Sequence, residues 1–80
     1  MENKNYKWMN SRVKIDFIDR MPSESKELIM KIEEADRNRD VVGYCNAQDT
    51  LDIVGKKAYE AGSITKKQWD MLIERYPYPF

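Results

Sequence analysis

The chain contains no histidine, and among its 80 residues there is a single cysteine, Cys45. Without an imidazole, the usual general base near neutral pH is missing, so the expectation is a protein that is not an enzyme. One thiol excludes an internal disulfide and fits a reducing compartment, which points to the cytoplasm. Glycine and proline are scarce, three of each, and Pro22, Pro77 and Pro79 punctuate ends instead of dividing the middle. No repeat, linker or low-complexity tract is present. No apolar run approaches the roughly 18 residues of a membrane span, and the start from Met1 to Trp8 has no apolar stretch like that of a signal peptide. Charge of one sign is lacking too. The 14 basic and 14 acidic residues cancel, removing the overall field that would draw the chain to nucleic acid or an anionic membrane. These absences predict one soluble domain over residues 1–80, with no membrane partner.

What is present suits a small helical core. Apolar residues make up 41% of the chain and include two Trp and five Tyr, enough for packed amphipathic elements without disulfide or metal support. Tyr44, Ala47, Leu51, Val54, Ala58 and Ala61 recur at steps of three and four, which predicts a helix from about Val41 to Ala61. Asp40 is placed to cap it, Gly62 to stop it, and Asp52 to pair with Lys56. Directly downstream, Thr65 and Gln68 have the spacing of a capping box, and Ile64 and Trp69 that of a hydrophobic staple. The helix they open carries the stripe Trp69, Leu72, Ile73, Tyr76 and should end near Arg75, because Pro77 disfavours helical geometry at Tyr76. Upstream, Pro22-Ser23-Glu24-Ser25 begins a helix with Leu28, Ile29, Ile32 and Ala35 on one side, ending near Arg37 and supported by Glu27–Lys31 and Glu33–Arg37 pairs.

The first segment, residues 6–21, fits two periods. Tyr6, Met9, Val13, Phe17 and Met21 suit a helical stripe, whereas Val13, Ile15 and Phe17 alternate as in a strand. A lone strand has no obvious partner, so a helix is favoured. The fold class is therefore all-α, a compact bundle of three to four helices with a helix-turn-helix hairpin at the C-terminal end. An α+β fold is the alternative if residues 12–18 form a strand.

Three stretches could carry chemistry. Asp36-Arg37-Asn38-Arg39-Asp40 opens like a calcium loop, but Val41 stands at the sixth position where glycine is required and Ala47 at the twelfth where glutamate is required, so no metal site is assigned. Asp36 falls close to the apolar stripe of its helix, which predicts partial burial and pairing with a basic side chain or with the amides of the next helix. Cys45 reads as a small, partly buried thiol. In the C-terminal hairpin, Lys66 and Lys67 could meet phosphates and Gln68 could read adenine, although no broad basic face accompanies them. The string from Gly62 to Trp69 also resembles the pattern of short C-terminal helical modules in bacterial proteins. A capped helix hairpin generates that string by itself, so neither function nor site residues are carried over.

The most distinctive stretch is the tail, residues 76–80, where alternating prolines extend the chain and display Tyr76, Tyr78 and Phe80. With Trp8 these are the expected anchors for a protein partner or for self-association. Trp8, Ile15 and Ile53 lie off their helical stripes and are candidates for a second apolar surface. The expected function is a non-catalytic protein-binding module without a cofactor: an adaptor, a small oligomer subunit or a stoichiometric inhibitor. An accessory protein of a phage or other mobile element is one version of that size. The alternative is a small DNA-binding regulator using Lys66, Lys67 and Gln68.

Overall fold

The computed structural model describes residues 6–79, in which α1 spans Glu24–Arg37, α2 Val41–Glu60 and α3 Lys66–Arg75, with one short 3-10 turn at Ile18–Arg20. The all-α expectation holds with three α-helices and, among the described residues, no strand. None of these helices is long and apolar enough to cross a membrane.

The helix ends follow from local chemistry. Asp40 accepts from the Gly43 amide at 3.0 Å and so satisfies one of the free donors at the start of α2. The turn from α1 is tight, with Arg39 in the left-handed region at φ 59° and its guanidinium reaching back to the Asp36 carbonyl at 3.2 Å. At the other end of α2, Gly62 takes φ 82° and the Ser63 amide returns to the Ala58 carbonyl at 2.9 Å, which closes the helix. Both halves of the Thr65/Gln68 capping box form, at 2.8 and 3.1 Å, and Ile64 just before it is buried. The anticipated Glu27–Lys31, Glu33–Arg37 and Asp52–Lys56 pairs do not appear among the described residues. Glu33 instead meets Arg75 at 3.2 Å, across the domain.

Helix α2 is the central element, packed against α1 along one side and α3 along the other. Its Tyr44, Ala47, Leu51, Val54 and Ala58 meet Ile32 and Ala35 of α1, and Leu72 with the adjoining Tyr76, in one core. Ala61 and Ile73, expected on apolar faces, are exposed. Exposed pairs such as Lys66–Asp70 contribute little beside this burial.

Residues 6–21 overturn the helix expected there. Met9, Phe17 and Met21 do enter the core, but on irregular backbone ending in the 3-10 turn. The reason is that long-range partners take the backbone groups a helix or sheet would use. The consecutive amides of Lys7, Trp8 and Met9 all donate to the Asp36 carboxylate, the latter two at 2.8 Å. The Asn10 amide donates to the Arg75 carbonyl at 2.8 Å, and Arg75 Nη1 donates to the Val13 carbonyl at 2.5 Å. Asn10 adds a local turn, its side-chain oxygen accepting from the Arg12 amide at 3.1 Å.

Asp36 is 0% exposed, so the three amides form a nest that replaces its hydration. Burial of such a charge is tolerable only while these donors stay in place. Asp36→Asn replaces an acceptor-only group with one that turns an amide toward donors. Urea denaturation is expected to show a loss of about 3 kcal/mol, and a change below about 0.5 kcal/mol, the ordinary surface range, would contradict the role assigned to the nest.

Candidate functional site

The four expected anchors part company in the structure. Tyr76 is 1% exposed; its hydroxyl donates to Glu33 and accepts from Arg75 Nε, each at 2.9 Å. Its carbonyl accepts from Gln48 Nε2 at 3.3 Å, and the Pro77 carbonyl accepts from the Tyr44 hydroxyl at 2.8 Å. The chain beyond α3 is thereby folded back onto α1 and α2. Trp8 is half-buried, its ring tilted against Tyr44 with centroids 5.3 Å apart. Tyr78 alone presents an open ring, 54% exposed, with its hydroxyl donating to Asp49 at 2.6 Å. Phe80 lies outside the described residues. Of the second proposed apolar surface, Ile15 packs against the core with Trp8 while Ile53 is exposed on α2, so the three do not gather into one patch.

A different apolar surface forms along the seam of α2 and α3. It exists because Gly55 lets the helices approach closely. A Cβ there would lie 3.2 Å from Trp69 Cδ1 and 3.3 Å from Leu72 Cδ1. The indole of Trp69 therefore lies over α2 and stacks on Tyr59, centroids 5.3 Å apart and planes 25° from parallel. One turn further along α3, Ile73 is 45% exposed. Tyr59, Trp69 and Ile73 thus line the seam, and Tyr78 extends the surface over α2 beside Asp49. A small cleft in the seam is lined by Gln48, Asp52, Trp69, Ile73 and Tyr76, with the buried Leu51 and Leu72 as its floor.

The cleft has an unusual wall. Gln48 is 5% exposed; its Nε2 is engaged by Tyr76, but its Oε1 is buried without a donor from the chain. Trp69 Nε1 is likewise unpartnered and lies over Gly55. Buried polar atoms ordinarily find partners, so each such group marks a place for a further one. Asp52 at the rim is exposed and makes no ion pair with Lys56.

The remaining candidates are committed elsewhere. Lys66 pairs with Asp70 at 3.0 Å and lies 5.8 Å from the Trp69 ring centre. The Gln68 carbonyl oxygen closes the capping box, and Lys67 projects into solvent. The Asp36 carboxylate faces the N-terminal amides while that of Asp40 caps α2, so the two do not converge on one point. Cys45 is half-buried on α2. A wider groove of about 470 Å³ between α1 and α2 has a mixed lining, with Lys31, Glu34, Asn46 and Thr50 beside Leu28 and Ala47.

The small residues Ala47, Gly55, Ala58 and Ala61 let a neighbouring helix approach α2 closely, and at Gly55 α3 does so. That part of the α3 face stays exposed escaped the sequence, because Ile73 fits the apolar stripe of α3 and so reads as core.

Burial is the main cause that raises the Tyr76 phenol well above the ordinary tyrosine range; Arg75 opposes it and the Glu33 charge adds to it. Burial, then the Asp36 charge, raises Tyr44 in the same way. For Arg75, burial works against the charge, but hydrogen bonds to Tyr76 and Glu33 prevail and hold it above its usual value. The tyrosine shifts fix a sign. Near pH 10 the unfolded chain releases phenolic protons that the folded chain keeps, so stability present below that pH declines as pH rises above it. Thermal and urea melts between pH 8 and about 11.5 should show this decline, with a slope about one proton smaller in Tyr76→Phe; equal slopes in both proteins would contradict it.

No protein-family model, curated protein or solved structure matches this chain.

Proposed function

We propose that this chain is a non-catalytic, cytoplasmic protein-binding module whose contact face is the α2–α3 seam with the adjoining Tyr78. The observation that carries this is the Tyr59–Trp69 stack beside the exposed Ile73 on the seam, with Tyr78 exposed over α2, while Phe17, Tyr44 and Tyr76 are buried. Aromatic side chains supply large contact area at small ordering cost and are enriched where interfaces draw most of their energy. Tyr78 takes over from Tyr76 and Trp8 as the anchor, because those two rings complete the core. An adaptor, a subunit of a small oligomer or a stoichiometric inhibitor, including an accessory protein of a phage or mobile element, would each use such a face.

A DNA-binding regulator is the alternative from another class. It draws less support, since Lys66 is ion-paired and the carbonyl oxygen of Gln68 is held in the capping box.

The test is affinity capture from lysate of the source cells, after nuclease treatment, alongside sedimentation of the purified chain. Wild type is compared with Ile73→Asp/Tyr78→Ala and with Met30→Asp, an even more exposed apolar position on α1. The module should retain a discrete partner, or self-associate, and the seam variant should lose at least about tenfold in affinity while Met30→Asp does not. Equal binding by all three would remove the seam, and recovery abolished by nuclease would transfer the assignment to the Lys66/Lys67 face and DNA.

A further inference from the structure

The chemistry of the cleft narrows the partner. Resting on the assignment of the seam as a contact face, we infer that the cleft receives a lysine side chain of the partner protein, its ammonium donating to Gln48 Oε1 and pairing with Asp52.

Three independent features converge on that side chain. The first is the unpartnered acceptor. Gln48 Oε1 is buried in a residue only 5% exposed, and the Tyr76 carbonyl holds the amide so that its oxygen, not its nitrogen, is left over. A flip would place oxygen against oxygen, so the site is fixed as one that needs a donor. The second is charge. Asp52 lines the same cleft and Asp49 lies one turn away on α2, while the nearest basic side chain on the helix, Lys56, leaves Asp52 unpaired. An acceptor with a carboxylate beside it favours a cationic donor over a neutral one. The third is size and lining. The inner space, about 10 Å³, takes a single water-sized group. An ammonium has that size and carries three donors, whereas the planar fork of a guanidinium is wider. Leu51, Leu72, Ile73 and the Trp69 ring offer an apolar wall for the methylene stem, as a buried lysine stem requires.

The probe is Nα-acetyl-lysine methylamide, titrated into the full chain at constant ionic strength. The Gln48 side-chain amide and Trp69 indole N–H resonances are followed, with the norleucine and arginine analogues as controls. Saturable shifts at these two groups with the lysine compound, at least about fivefold weaker in Asp52→Asn, are expected for a partly exposed ion pair. Asp52 is a surface residue, and an unchanged amide spectrum elsewhere confirms that the variant is folded. Shifts of equal size from the norleucine compound would overturn the lysine assignment while leaving an apolar docking face intact. Preference for the arginine compound would overturn the size argument. No saturable shift from any of the three would mean that the cleft holds water only and would overturn the inference, whereas the assignment of the seam itself stands or falls on the capture experiment.

Discussion

A buried carboxylate organises this small domain. Asp36 closes the last turn of α1 on the inner side, where water cannot reach it, and a carboxylate there needs donors from elsewhere in the chain. Three consecutive amides, of Lys7, Trp8 and Met9, supply them. The consequence is topological. The N-terminal segment cannot form its own helix while its amides point at Asp36, so it runs as a strap across the ends of α1 and α3. From that position Met9, Phe17 and Met21 complete the core, and Trp8 comes to rest on Tyr44.

The opposite end of the chain is tied by the same kind of contact. Arg75 sits where the strap, α1 and the tail meet, donating to the Val13 carbonyl and to Glu33 while its own carbonyl accepts from Asn10. Tyr76 shares Glu33 with it. In a chain of 80 residues, which buries only about 60% of its unfolded surface, the ends must be recruited in this way to finish a core that three helices cannot close. Function inherits the result. The rings that complete the core are withdrawn from the surface, whereas Tyr59 and Trp69 stack along the seam beside the exposed Ile73, where Gly55 sets how closely α3 approaches α2.

The helices were legible from sequence because their signals are local. Asp40, Gly62, Thr65 with Gln68, and Pro77 act within a turn of themselves, and each marks the boundary observed. Residues 6–21 were not legible, since their conformation is decided by acceptors and donors 27 to 65 positions away. Of the five residues that periodicity placed on the inward stripe, Met9, Phe17 and Met21 are buried while Tyr6 and Val13 are half-buried, and the backbone that carries them was not revealed. One pointer was available: an aspartate on an apolar stripe must find donors, and the sequence placed Asp36 there. The tail was half legible. Its aromatic content stood out, but whether a ring caps the core or faces a partner depends on where Glu33, Tyr44 and Gln48 lie in space, and no spacing rule encodes that.

Amide hydrogen exchange of the Trp8 and Met9 N–H groups tests most directly whether the strap belongs to the cooperative core. If Asp36 holds it as described, both amides exchange only through global unfolding, with opening free energies within about 1 kcal/mol of those for Leu51 and Val54 in α2. Exchange of Trp8 and Met9 at rates near those of exposed amides, while Leu51 and Val54 stay protected, would show that the strap opens on its own and that Asp36 does not organise the fold.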